Sequence, residues 1–217
     1  MVEPIVFGAP YSVYVRIVRL ALAEKGVAYR LVDIDVFAPG GPPPDYLVQR
    51  HPFGRIPALE HDGFRLYETG AIARYVDEAF AGPRLQPSDP RGRARMNQII
   101  GVLDNYAYRT FVWDIFVERV RAPAQGLLAN ETRIAAALPK AQTCLAALVD
   151  LMAGGPYLAG SALSLADLYA APMFIYFRMA EEVATQLRQA PALAAWLTRM
   201  DQRASIRATR SPIEPTL

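Results

Sequence analysis

Two stretches decide the fold: His51-Pro52-Phe53-Gly54-Arg55-Ile56-Pro57-Ala58-Leu59 and Tyr67-Glu68-Thr69-Gly70-Ala71-Ile72. In the first, a proline stands directly before a β-prone run. That is unusual, because proline cannot donate to a strand ladder. A trans Ile56–Pro57 bond would make it a turn into an edge strand, the commoner case when the residues are taken alone. A cis bond would turn the backbone N–H and C=O before it outward, a free edge to which an extended peptide adds as a strand. The second stretch sets an acid and a hydroxyl at the start of a helix, where unpaired N–H groups suit a carboxylate. Glu68 can receive an ammonium there, so the pair would hold the zwitterionic end of an amino acid. Thr69 by itself reads better as an ordinary N-cap. Taken together, the two stretches favour the cis bond and the peptide site.

The residues before them alternate in character. Ile5-Val6-Phe7, closed by Gly8-Ala9-Pro10, reads as a buried strand. Ser12 can cap a helix whose apolar side carries Val13, Ile17, Val18, Leu20 and Leu22 and which ends at Gly26. Tyr29 to Ile34 reads as a second strand, completing a right-handed βαβ unit. Ala38-Pro39-Gly40-Gly41-Pro42-Pro43-Pro44 can only be a loop, and Asp45 to Val48 is a short helix. Ala58-Leu59-Glu60 and Phe64 to Tyr67 form a hairpin through His61-Asp62-Gly63. A helix then runs from about Thr69, with Ile72, Tyr75, Val76 and Ala79 on one face. One parallel crossover followed by an antiparallel pair is the order of a thioredoxin-like domain, not of a doubly wound nucleotide fold.

Gly82, Pro83, Pro87 and Pro90 mark a linker. Beyond it the apolar spacing is helical: Met96 to Leu103, Ile134 to Leu151, Leu165 to Met179, and Leu193 to Met200. The expected organisation is a thioredoxin-like domain over 1–80, a linker over 81–90, and an all-helical domain over 91–217. The tail from Arg210 to Pro215 is expected to be mobile.

Composition narrows the function. The chain has 217 residues, 53% hydrophobic and 20% charged, with a net charge of +2. That allows a large core and excludes a disordered chain. The balance of charge does not point to nucleic acid or to a membrane surface. The longest strongly apolar run, Leu168 to Phe177, falls short of the roughly 18 residues of a spanning helix. The expectation is a soluble, cytoplasmic protein. A single cysteine, Cys144, excludes an internal disulfide framework. His51 and His61 stand without a cluster of ligands, so no metal is expected. There is no phosphate-binding loop.

The two stretches, with Ser12 behind Pro10-Tyr11, resemble the cytosolic glutathione transferases. The phi- and theta-like serine members, from bacteria, are the nearest match expected. Ser161-Ala162-Leu163-Ser164-Leu165-Ala166-Asp167 resembles that family's helical capping segment, and Pro191 to Trp196 with Arg203 its late helix. The likeness runs roughly from Ile5 to Arg207. It implies that Ile56, beside cis-Pro57, pairs through its backbone with the cysteinyl part of glutathione. It implies that Glu68 and Thr69 hold the γ-glutamyl end and that Arg55 lines the peptide. Ser12 matches the residue that activates the thiol, with Tyr11 the competing hydroxyl. A free thiol titrates near 8.5, and lowering that by about two units is worth about 2.7 kcal/mol, within reach of a hydroxyl and a helix dipole.

Two departures from the family stand out. The 38–44 loop lacks the basic residues that often hold the glycine carboxylate, and His51 replaces a frequent Asn, so it is given no role. Ala9 stands where the cysteine-using classes carry Cys. The zeta-type Ser-Ser-Cys-Ser run is absent from 9–12. Ser164 and Asp167 fit a capping box and are read as structural. In the aromatic run Tyr106, Tyr108, Phe111, Trp113, Phe116, most rings should be core. Tyr108, Phe111 and Trp113 are the candidates for holding an apolar electrophile in the cleft between domains.

The resemblance implies a homodimer, with Phe53 as a contact. It also implies transfer of glutathione, as co-substrate, to a small hydrophobic electrophile, or glutathione-dependent peroxide reduction. The rival is a transferase-like binding or regulatory protein without turnover.

Overall fold

The computed structural model describes residues 2–215. The chain divides into two units, one holding the residues up to Leu85 together with those from Arg203 onward, the other Gln86–Gln202.

The first unit is built on a four-stranded sheet of order β2-β1-β3-β4. β1 (Ile5–Phe7) leads through α1 (Val13–Glu24) to β2 (Arg30–Val32), which pairs parallel to β1. After α2 (Pro44–Gln49) come β3 (Ala58–His61), antiparallel to β1, and β4 (Phe64–Tyr67), antiparallel to β3. α3 (Thr69–Ala79) follows. This is the thioredoxin-like order read from the sequence. Strand alternation separates two faces. Phe7 and Ala58 pack with Tyr46 of α2, and Val6 and Leu59 point to the other face. α1 and α3 pack on each other, burying Ile17, Leu20 and Ala21 with Ile72, Ala73 and Val76. Each such large apolar side chain is worth about 1.5–3 kcal/mol.

α1 ends in a Schellman motif. Gly26 adopts φ +68°, its N–H donates to Ala23 at 3.1 Å, and Val27 N–H donates to Leu22 at 2.9 Å. Below that end Lys25, almost fully buried, donates to Asp77 Oδ1 at 3.1 Å and to the carbonyls of Asp77 and Pro83 at 2.9 and 3.1 Å. Asp77 Oδ1 also accepts from Leu85 N–H at 2.8 Å, and Leu85 is buried. These bonds hold the first half of the expected linker on this unit, so the boundary falls after Leu85 rather than at 81.

The end of the chain departs further from expectation. α10 (Ala204–Ala208) packs on α1. Arg203 chelates Glu24 at 2.7 and 2.5 Å, and the Ser205 hydroxyl donates to the same carboxylate. Arg16, 1% exposed, pairs with Glu214 at 2.5 Å and donates to Ile206 O at 3.0 Å. The tail is therefore anchored, not mobile, and the helical unit closes before Arg203 instead of running to 217. Periodicity could not show this, because the anchors are buried ion pairs.

The second unit holds α4 (Pro90–Val102), continued by a π-helical segment, Leu103–Arg121, and a single turn, α5 (Ala122–Ala124). At its end Ala122 N–H donates five residues back, to Val117 O. The segment buries Leu103, Ala107, Thr110, Phe111, Val112, Ile115 and Phe116. α6 (Glu131–Met152), α7 (Leu165–Phe177), α8 (Val183–Arg188) and α9 (Pro191–Asp201) complete the unit. α6 is long and apolar enough to cross a membrane by length and composition. Here it packs along the π segment, burying Ile134, Ala141, Leu145 and Leu148. α7 is buried along its whole length.

Asp167 fixes the start of α7. It accepts from Ser164 N–H and Oγ–H at 2.8 and 2.9 Å, from Leu158 N–H at 2.8 Å, and from Trp196 Nε1–H at 2.8 Å. Burial pushes its carboxyl above the ordinary range against these four donors. The capping role expected of Ser164 and Asp167 is what the structure has.

Candidate active site

The sheet register assembles the site. Phe7, Ala58 and Tyr67 lie opposite one another in one row across β1, β3 and β4. One residue beyond that row are Gly8, Pro57 and Glu68. The three motifs separated in sequence thus leave the sheet at the same end. The Ile56–Pro57 bond is cis.

Gly8 is what lets them converge. Its φ is +150°, and a Cβ there would stand 2.3 Å from Val15 Cγ2 and 3.2 Å from Ile56 Cβ. The start of α1 and the Ile56 segment therefore approach each other across a position that only glycine can fill. Four residues on, Ser12 is the N-cap of α1. Its Oγ accepts from Val15 N–H at 3.4 Å, a long bond that uses a lone pair. The hydroxyl proton stays available to donate to an anion. Ser12 is half-buried. The rival hydroxyl is engaged: Tyr11 Oη–H donates to Asp35 Oδ1 at 2.5 Å, and Asp35 also accepts from Phe37 N–H at 2.9 Å. Both readings of Ser12, cap and donor, are compatible with this geometry.

Arg55 is exposed and Ile56 half-buried. The Arg55 carbonyl accepts from the Tyr46 hydroxyl at 2.6 Å. Burial pushes the Tyr46 phenol far above its ordinary value, so it stays a donor. Sequence reading missed Tyr46. It falls in a short helix with no periodic signal, and only the fold brings it beneath the Arg55–Pro57 segment.

Glu68 is exposed and adopts φ 71°, ψ 115°. A non-glycine residue held there costs about 1–3 kcal/mol, strain that tends to collect at ligand clamps. The turn places Glu68 directly before α3. Glu68 O accepts from Ile72 N–H at 3.0 Å, leaving the N–H groups of Thr69, Gly70 and Ala71 without helical partners. Thr69 is buried at the first helical position. An exposed acid next to free N–H donors is complementary to an ammonium and a carboxylate on one carbon.

The electrophile candidates separate. Tyr108 and Trp113 are half-buried on the π segment. Phe111 is fully buried, stacked on Phe177 at 4.0 Å and edge-on to Phe174 at 5.3 Å. It is a core residue with no surface for a ligand, so its assignment to the electrophile site is withdrawn. Cys144 is buried on α6, and burial pushes its thiol up, away from nucleophilic use.

A thioredoxin-like domain that gathers a capping hydroxyl, a backbone edge and an acid–hydroxyl pair at one sheet end, followed by a helical unit, is the arrangement expected of the glutathione transferases. Comparison with known proteins agrees. The glutathione S-transferase N-terminal domain family matches residues 6–84, and the C-terminal domain family matches residues 131–199. Glutathione S-transferase F14 of Arabidopsis thaliana is 32% identical over 184 residues, 83% of this chain and 72% of its own. The crystal structure of glutathione transferase F7 from Populus trichocarpa superposes with a TM-score of 0.83 at 28% identity, covering 95% of this chain and 97% of that one. Glutathione S-transferase I from mais, in complex with an atrazine glutathione conjugate, gives 0.83 at 26% identity, covering 95% and 96%.

The chain belongs to the glutathione S-transferase family. The relatives named here are plant proteins, which lends no support to the expected bacterial origin.

Proposed function

We propose that the protein binds glutathione in its first unit, ionises the thiol at Ser12, and conjugates it to small hydrophobic electrophiles. The observation that carries this is the shared row from which Gly8, Pro57 and Glu68 leave the sheet. The extended peptide pairs with the Ile56 backbone. Its γ-glutamyl carboxylate takes the N–H groups of α3 with Thr69, and its ammonium takes Glu68. Arg55 lines the peptide beside them. Ser12 Oγ–H then donates to the sulfur, and the positive end of the α1 dipole favours the anion. The thiolate attacks the electrophilic carbon directly, the leaving group departs with its bonding pair, and no covalent enzyme intermediate forms. Rate comes from thiolate activation and from holding the two reactants together. The same thiolate can reduce a peroxide, with a second glutathione supplying the other thiol.

Tyr108 and Trp113 are our candidates for the electrophile. Relatives whose names carry glutathione conjugates support the substrate class. We further propose a cytoplasmic homodimer serving detoxification. The exposed Phe53 and Tyr67 rings, which meet at 6.2 Å, support an interface on this unit. The loop over 38–44 carries no base for the glycine carboxylate. That observation favours the second reading, a binding protein without turnover. Retention on immobilised glutathione followed by a conjugation assay with a general aryl halide separates the two. Turnover supports the transferase, binding without turnover supports the second reading, and failure to bind contradicts both.

A further inference from the structure

His51 received no role from the sequence, yet the fold buries it against the proposed γ-glutamyl site. It is 2% exposed, and its Nδ1 is enclosed without a hydrogen-bond partner. Its ring lies 4.9 Å from that of Tyr67 and 6.2 Å, edge-on, from that of Phe53. Tyr67 ends β4, and the next residue is Glu68 in its left-handed turn. The imidazole is therefore packed on the ring of Tyr67, the residue directly before the acid proposed to take the ammonium.

The charged groups that act on the ring are Glu68 and Arg55. Burial holds His51 below the ordinary histidine value, Glu68 opposes that, and Arg55 adds to it. Its neighbour in the chain, Arg50, is engaged elsewhere, with Glu60 at 2.8 Å. The ring is neutral near pH 7. On acidification it becomes a second cation near one carboxylate, with an enclosed N–H to satisfy.

We propose that His51 and the ammonium of glutathione compete for the Glu68 carboxylate, so that protonating His51 weakens glutathione binding. This rests on the reading that Glu68 holds the γ-glutamyl ammonium. Coupling of this kind is reciprocal: whatever factor the proton costs in glutathione affinity, glutathione costs in proton affinity. His51 is then a positioning residue that ties substrate binding to pH, and an asparagine in its place would lack that property.

The test uses S-methylglutathione, whose sulfur does not ionise, with the full-length protein between about pH 5.5 and 7.5. Calorimetry is expected to show the dissociation constant rising about fivefold on the acid side. His51→Asn should bind with no such rise. Glu68→Gln should bind more weakly at all pH values, also with no rise. The second readout needs no variant at His51. Imidazole NMR of a His61→Gln protein follows His51 alone, since His61 is the other histidine and is bonded to Tyr75 at 2.7 Å. Saturating S-methylglutathione should lower the His51 midpoint by about 0.7 pH units, the same factor of five. An acid rise that survives in His51→Asn, or a midpoint that the ligand leaves unmoved, overturns the proposal. Glu68→Gln binding as tightly as wild type would instead overturn the reading of Glu68, and the competition with it.

Discussion

Replacing Ser12 by alanine separates its two roles, because they act on different quantities. As an N-cap, Ser12 contributes one bond to Val15 N–H at 3.4 Å, near the long limit. Cap losses range over about 0.5–2 kcal/mol, and a bond this long belongs at the low end. The melting temperature should therefore fall only slightly. As a donor to the thiolate, Ser12 contributes a charge-assisted hydrogen bond of about 1.5–3 kcal/mol. At 1.36 kcal/mol per pH unit that is about one to two units on the bound thiol, or about ten- to a hundredfold in turnover near neutral pH. The tripeptide is gripped at Ile56, Glu68 and Thr69, so its dissociation constant should hardly move. The assay is the pH dependence of kcat with a general electrophile, alongside glutathione binding and thermal unfolding. Loss of turnover should be recovered as pH rises above the shifted thiol pKa. An unchanged pH profile in Ser12→Ala, with a shifted one in Tyr11→Phe, would refute the choice of hydroxyl. An unchanged profile in both would leave Ser12 a cap alone.

Tyr46→Phe removes the donor to the Arg55 carbonyl at 2.6 Å. A part-buried acceptor left unpaired falls at the low end of the about 1–3 kcal/mol cost of an unmade bond, so steady-state kinetics should show a raised KM for glutathione with kcat little changed. Asp77→Ala strands the buried Lys25 and frees Leu85 N–H. Denaturant unfolding should register a loss of about 3–5 kcal/mol, and Asp77→Asn, which keeps an acceptor, should lose less. Burial would raise the Glu24 carboxyl, but Arg203 and Ser205 hold it below the usual value. Its folded pKa lies under its unfolded one, so the stabilisation is present above about pH 4.3 and lost as pH falls through the folded value. Acid unfolding of Glu24→Gln should lack that component.

Much of the first unit was legible because its signals are local. The alternation of Ile5 to Phe7, the glycine at 26 and the Asp62-Gly63 turn are each read within a few residues, and together they gave βαβ–ββα. The site was legible as motifs, Ser12, Ile56-Pro57 and Glu68-Thr69, since each has a chemical reason for its residue types. What stayed hidden depends on partners far along the chain. Arg16 reads as a polar break in an apolar helix until Glu214 is beside it. Tyr46 acquires its role only when its helix packs beneath Arg55. Phe111 fits an aromatic ligand wall as well as a core until Phe174 and Phe177 close over it.

The central claim, that this protein binds glutathione and ionises its thiol, is tested most directly by the ultraviolet absorbance of the thiolate in the wild-type complex, titrated across pH. The account predicts a thiolate band that titrates about two units below the ~8.5 of a free thiol and is already strong at neutral pH. A complex whose sulfur titrates like free glutathione would contradict it.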